Sequence, residues 1–187
     1  IGEMAPLLKR LGGAAVEVAL EIQDGLGRVK VDPSQLTQVI MNLVINARDA
    51  MPNGGKVRLA ARNTGADDAF CRRHPGINPG DYVELEVADN GSGMGRETLS
   101  HIFEPFFTTK APGRGTGLGL STVYGIVRQS GGCVWAESEP GQGAVFHVLL
   151  PRIEAAATGA EKAVLAEGAA RGETVLLAED EDMVRGM

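Results

Sequence analysis

Residues 82–95 read Tyr-Val-Glu-Leu-Glu-Val-Ala-Asp-Asn-Gly-Ser-Gly-Met-Gly (YVELEVADNGSGMG), and the fold turns on that stretch. The alternation over Tyr82 to Ala88 predicts a β-strand. With a period of two, Val83, Leu85 and Val87 share one face, and Asp89 points with them. A carboxylate at the core-facing end of an apolar strand is costly unless it has a partner. The glycines that follow, Gly91, Gly93 and Gly95, let a flat ligand approach the backbone closely. A buried, acceptor-only carboxylate beside a glycine shelf suits a ligand with an exocyclic amine, such as adenine. The plainer reading makes Asp89 a helix cap and the glycines a turn.

Upstream, Asp32-Pro33 starts a helix, with a capping carboxylate and a proline in the first turn. The helix is expected from Pro33 to Met51, ending at Pro52-Asn53-Gly54-Gly55. Leu36, Ile40, Leu43 and Ala47 form its narrow core face. Before it, Val16, Val18, Leu20 and Ile22 alternate as a strand, Asp24-Gly25 turns the chain, and Val29 to Val31 read as a short partner strand. After it, Lys56 to Asn63 read as a strand. Residues 64–80, polar and rich in Pro and Gly, read as a loop, either an insertion or a docking site.

Downstream, a short helix is expected from Arg96 to Phe103, then a mobile loop over 104–116. Gly117 to Ser130 are helical by periodicity, through Leu120, Val123, Tyr124 and Val127. Cys133 to Glu137 and Ala144 to Leu150 form a final hairpin around Glu139-Pro140-Gly141, and Pro151 ends the domain. Residues 1–13 read as the end of an upstream helical region. Residues 152–173, dominated by Ala, Glu and Gly, read as a linker. Thr174 to Ala178 followed by Glu179-Asp180-Glu181-Asp182 begin a second domain, residues 174–187, too short to bury itself.

Composition narrows the function. The chain has 187 residues, 18 basic and 24 acidic, for a formal net charge of −6. That balance argues against an electrostatic grip on nucleic acid or an anionic membrane. No apolar run approaches the roughly 20 residues that span a bilayer, and no signal-peptide pattern opens the chain. Cys71 and Cys133 lack metal-ligand spacing, so a reducing, cytoplasmic setting is expected.

Three further constellations carry chemistry. On the long helix, Asn42, Asn46, Asp49 and Gln38 make a polar stripe beside the apolar face. Asparagine is a poor helix-interior residue, so two of them at the core edge call for a reason. Their oxygens suit a hard cation such as Mg²⁺ that shares its ligands with phosphates; a solvated helix face is the bland alternative. Residues 113–121 (GRGTGLGLS) cross a loop-to-helix junction, where unpaired N–H groups and the helix dipole favour phosphate. The stretch follows no strand and lacks the GK[ST] ending, so neither the dinucleotide fingerprint nor the Walker A pattern applies. Residues 102–110 (IFEPFFTTK) place phenylalanines at the loop ends and Lys110 within reach of a terminal phosphate. The alternatives are a hinge and a hydrophobic cluster.

The joint order of these segments resembles the ATP-binding domains of sensor histidine kinases over about residues 14–151. NLVINARDAMPNGG resembles the N box, DNGSGMG the first glycine box, IFEPFFTTK the F box and GRGTGLGLSTVYGIV the second glycine box. The wording looks like hybrid kinases, and TVLLAEDEDMVR resembles the opening of a receiver domain, with Glu179 and Asp180 at its acidic pair. The resemblance implies an α/β two-layer sandwich of the Bergerat type: a mixed β-sheet with helices on one face and ATP between the helices.

By resemblance, Asn46 binds Mg²⁺, Asn42 supports the phosphates and is catalytic with Lys110, and Asp49 is a further nucleotide-binding residue. Asp89 accepts from the adenine amine, while Gly91, Gly93 and Met94 shape the adenine shelf. Phe107, Thr109 and Lys110 belong to the F box and lid. Gly115, Gly117, Leu118, Gly119 and Leu120 line the phosphates. Related hydrolases carry a glutamate base where this chain has Asn42. An amide cannot take a proton from water, so transfer to a protein acceptor is favoured over hydrolysis. Thr108 stands where many relatives have arginine, and Ala144 where many have threonine. The acceptor histidine is missing: His74, His101 and His147 read as ordinary residues. The implied activity is therefore γ-phosphoryl transfer from Mg·ATP to a histidine on a dimerisation domain, with a receiver downstream and a monomer as the isolated state. The competing readings are a non-catalytic docking module of the same fold and a serine-phosphorylating anti-sigma-type kinase.

Overall fold

The computed structural model describes residues 6, 8, 15–74, 76–111 and 115–153. The expectations for the receiver-like segment, for the linker beyond Ile153, for Gly113 and Arg114, and for most of residues 1–13 lie outside them.

Among the described residues from 15 onward, six strands and four helices follow in chain order: β1 (Val16–Ile22), β2 (Arg28–Val29), α1 (Pro33–Asp49), β3 (Gly55–Ala66), α2 (Asp68–Arg73), β4 (Gly80–Asp89), α3 (Arg96–His101), α4 (Gly119–Gln129), β5 (Cys133–Ser138) and β6 (Ala144–Ile153). The sheet runs β1-β3-β4-β6, with β5 on β6. The pair β1–β3 is parallel and the pairs β3–β4, β4–β6 and β5–β6 are antiparallel. This is the mixed sheet that the resemblance implies, with α1 and α4 over one face.

Asp32 starts α1 as expected: its side chain accepts from the N–H groups of Ser34 and Gln35, and Pro33 needs no donor there. The buried side of α1 comprises Val39, Ile40, Leu43, Val44 and Ala47, wider than the expected stripe. It packs on Val57, Leu59, Leu85, Val87, Phe146 and Val148 of the sheet, and Val123, Ile126 and Val127 of α4 join the same core. Tyr124 departs from the expected apolar face of α4. It is exposed, and its ring carries the Arg128 guanidinium 5.5 Å from the centroid, while Ile126 is buried.

Other expectations are corrected in pairing, in element extent and in one side chain. β2 pairs with the end of β6, Arg28 opposite Ile153, rather than with β1, which is already paired with β3. Pro151 does not end β6. It sits opposite Tyr82 at the last β4 register pair, where the strand exchanges neighbours and a missing N–H costs least. The expected loop 64–80 holds the end of β3 and the helix α2. Asp67 caps that helix, accepting from Phe70 N at 2.7 Å. Phe106 does not anchor its loop; its side chain is 74% exposed, whereas Phe103 and Phe107 pack on the core.

The opposite face of the sheet is also covered in part. Phe70 and Cys71 of α2 pack with Tyr82, Cys133, Trp135 and Leu149 in a second small cluster. Beside it, Glu84 and Glu86 are buried. Arg62 Nε donates to Glu84 at 2.9 Å, His147 Nδ1 lies 2.8 Å from Glu84, and Arg58 binds Glu86. His147 stacks on Trp135 with ring centroids 4.7 Å apart.

Candidate functional site

A cleft of about 670 Å³ opens between α1, the end of β4, the segment after α3 and the start of α4. Its walls include Asn42, Asn46, Asp49, Asp89, Gly93, Met94, Phe107, Thr109, Lys110, Gly115, Gly117, Gly119 and Leu120. Four separate sequence segments thus meet in one cavity. Gly91 and Leu118 are not on its walls: Gly91 lies against Ala50 and Asp89, and Leu118 is exposed.

Asp89 ends β4 at the cleft, opposite Val57 of β3 and Ala144 of β6. Its Oδ1 accepts from Gly91 N at 2.8 Å. Burial pushes its carboxyl above the ordinary aspartate value, and backbone N–H groups of Gly91 and Ala144 offset this only in part. Ala144 lies on the cleft wall beside it.

The glycine shelf is held by its own backbone. Ser92 N donates to Ala50 O, Met94 N to the Ser138 hydroxyl, and Gly141 N to Ser92 O. Gly93 has φ 62°, and a Cβ there would stand 1.9 Å from Glu139 O, so no side chain fits. The second glycine segment is held similarly. Phe106 N donates to Gly117 O at 3.0 Å, and a Cβ on Gly117 would meet the Phe106 backbone at 2.3 Å.

The asparagines face this second segment. Asn42 Nδ2 donates to Gly119 O at 3.1 Å, tying α1 to the start of α4. No side chain caps that start, which faces the cleft through Gly119 and Leu120. It therefore offers unpaired backbone donors and the positive end of a helix dipole. Across the mouth, Lys110 Nζ lies 2.6 Å from Asp49 Oδ2. Desolvation raises the Asp49 carboxyl, but hydrogen bonds from Lys110 and Arg48 outweigh it and hold the group below its ordinary value.

Thr108 and Thr116, the ends of the expected lid, are on the walls, and several further wall residues are not among the expected site residues. Ile45, Ala50, Ile102 and Phe146 supply apolar surface, while Ser92 and Thr98 supply hydroxyls. Ile45, Ala50, Ser92 and Ile102 sit inside the quoted motifs, so position alone could have found them; Phe146 comes from a strand that shows only alternation. The three histidines are engaged elsewhere. His74 stacks between Phe70 and Trp135, His101 Nδ1 lies 2.8 Å from Glu104, and His147 meets Glu84.

Residues 31–154 match the family described as histidine kinase-, DNA gyrase B-, and HSP90-like ATPase. The chain is 45% identical over 196 residues to the sensor kinase CckA of Brucella abortus (strain 2308), covering 99% of this chain and 20% of that protein. It is 43% identical to the two-component sensor PprA of Pseudomonas aeruginosa, covering 84% of this chain and 16% of that one. The chain thus spans a fifth or less of these relatives. Among solved structures it is similar to full-length ShkA in complex with AMPPNP, with a TM-score of 0.61 and 31% identity over 83% of this chain and 29% of that one. The nucleotide-free catalytic domain of histidine kinase ThkA aligns with a TM-score of 0.59 and 27% identity, covering 81% of this chain and 86% of that one.

Proposed function

The chain belongs to the histidine kinase-, DNA gyrase B-, and HSP90-like ATPase family, as the ATP-binding catalytic module of a sensor histidine kinase, and from that premise we propose how its cleft works. Adenine enters beside Asp89, whose carboxylate accepts from the exocyclic amine while Gly93 and Met94 lie against the ring. The phosphates extend toward the uncapped start of α4, where Gly117, Gly119 and Leu120 present backbone. The observation that carries this reading is the placement of Asp89 and the second glycine segment on the walls of one cleft.

The cleft fits a hard cation: Asn46 and Asn42 line it with side-chain amides, whose oxygens are hard ligands, and neither cysteine nor histidine is on its described walls. When bound, Mg²⁺ supplies charge neutralisation across the phosphates, held by Asn46 with Asn42 beside it. Asn42 cannot act as a general base, and its amide is engaged with Gly119 O. The missing base favours transfer to a protein acceptor over hydrolysis, and in a sensor histidine kinase module that acceptor is an imidazole nitrogen, with ADP leaving. Positioning and charge stabilisation carry the catalysis.

The acceptor is a histidine on a dimerisation domain of the same protein. No described histidine is on the walls of the cleft. The receiver-like tail makes a hybrid kinase the fitting whole, and the alignment with sensor kinase CckA extends over 99% of this chain. The isolated module works as a cytoplasmic monomer; no helix among the described residues is long and apolar enough to cross a membrane. The test supplies the dimerisation helix pair of the parent protein in trans with Mg·ATP labelled on the γ-phosphate. Acid-labile, base-stable label on its histidine is the expected result. A chain that binds nucleotide yet leaves the histidine unlabelled is a docking module instead.

A further inference from the structure

Asp49 closes the last turn of α1, where the helix dipole disfavours a carboxylate. Its compensation comes from two cations. Arg48 Nη2 donates to Oδ1 at 2.9 Å, and Lys110 Nζ donates to Oδ2 at 2.6 Å. The second contact joins residues 61 apart in sequence, across the mouth of the cleft that both line. It is the only ion pair of Lys110 among the described residues. Lys110 is the cation placed to meet a polyphosphate, so Asp49 and that phosphate require the same ammonium.

We propose that Asp49 is a built-in competitor for the nucleotide's phosphates, a positioning residue that holds Lys110 at the cleft mouth until a stronger anion takes it. The proposal rests on the reading of the cleft as a nucleotide site. Phosphate binding then exchanges one ion pair for another instead of adding one. Lys110 is pre-placed beside the site, and its net contribution to affinity is trimmed. Ligands without phosphate leave the Asp49–Lys110 pair intact and feel none of this. Asp49 accordingly opposes phosphate binding, in contrast to Asn42 and Asn46 on the same helix, which the proposed reading places at the cation.

The test is a double-mutant cycle on the 187-residue chain, with affinities for AMP-PNP and for adenosine measured by calorimetry with and without Mg²⁺. Asp49→Asn is expected to tighten AMP-PNP binding by roughly two- to fivefold, the range set by a partly exposed ion pair. Adenosine affinity should not change. In a Lys110→Met background, Asp49→Asn should give no such gain. Weaker AMP-PNP binding in Asp49→Asn, above all with Mg²⁺, overturns the proposal in favour of a phosphate- or metal-supporting carboxylate. An equal gain with and without Lys110 overturns it in favour of a general field. No binding by folded wild-type chain overturns the reading of the cleft, and the competition with it. The ion pair is read separately, by NMR titration of the Asp49 carboxyl without nucleotide. Lys110→Met should raise its pKa, and an unchanged titration overturns the pair whatever the nucleotide does.

Discussion

Glu84 and Asp89 lie on the same strand and face opposite sides of the sheet. Glu84 is buried with side-chain partners on both sides: Arg62 donates to it, and His147 lies against it. The His147 hydrogen bond leads the effects that hold its carboxyl below the ordinary glutamate value, with desolvation opposing and Arg62 assisting. Asp89 has no cation partner in the described structure. It accepts from backbone N–H groups alone, and burial leaves its carboxyl raised. One carboxylate is satisfied within the fold; the other keeps acceptor capacity open toward a cleft. A buried charge matched by the protein is a structural element, and one left partly unmatched at a cavity wall is positioned for a ligand.

The sharpest way to break this contrast is to remove each carboxylate and read both stability and binding. Asp89→Ala should weaken AMP-PNP binding by roughly 10- to 100-fold, the scale of a hydrogen bond to a charged group, as measured by calorimetry. Glu84→Gln should leave that affinity within about twofold and instead lower unfolding free energy in urea by about 1–3 kcal/mol, because Arg62 and His147 lose a charged partner and Arg62 keeps only Glu86. A Glu84→Gln protein that loses nucleotide as Asp89→Ala does would merge the two faces into one site.

Gly93→Ala sharpens the same contrast on the shelf. Its positive φ and the blocked Cβ position should cost about 1–3 kcal/mol of stability in urea melts and displace the shelf beside Asp89.

Titration should separate the two faces by sign. Glu84 has a folded pKa below its unfolded value. Its stabilisation is therefore full above the unfolded glutamate value and is lost as pH falls through the lower folded value. Asp89 runs the other way. Its raised folded pKa gives a contribution that is full below the unfolded aspartate value and lost as pH rises through the folded one. Urea midpoints against pH should thus show a shallower acid loss in Glu84→Gln. In Asp89→Asn, the decline above the unfolded aspartate value should vanish, so this variant is the more stable at neutral pH even as it loses nucleotide. The smallest effect is expected for Asn42→Ala in the absence of ligand, about 0.5–1.5 kcal/mol, from the lost bond to Gly119 O.

The cleft side of this contrast was legible in the sequence and the outer side was not. Val83, Leu85, Val87 and Asp89 follow a clean period of two, and the glycine segments announce the backbone approaches that Gly93 and Gly117 make. Asp32-Pro33 marks the start of α1 for a local reason, since cap and first turn are neighbours in sequence. Nothing in the alternation marks Glu84 and Glu86 as buried, because their partners, Arg58, Arg62 and His147, come from β3 and β6 and become neighbours only through strand register. The helix α2 was hidden for a different reason. Asp67 is an adequate cap, but the helix is six residues long and shows too little periodicity to stand out among Pro and Gly. The pairing of β2 with the end of β6 depends on long-range register that no local pattern encodes.

The most direct test of the central claim, that Asp89 reads an exocyclic amine, is a calorimetric comparison of AMP-PNP with GMP-PNP on the wild-type chain. Guanine presents a carbonyl oxygen where adenine presents the amine, and two acceptors facing each other repel. Binding of AMP-PNP at least roughly 30-fold tighter than GMP-PNP is the expected result, the scale of a lost hydrogen bond to a charged group plus an unsatisfied acceptor. Equal affinity for the two analogues would contradict it and leave Asp89 a structural carboxylate like Glu84.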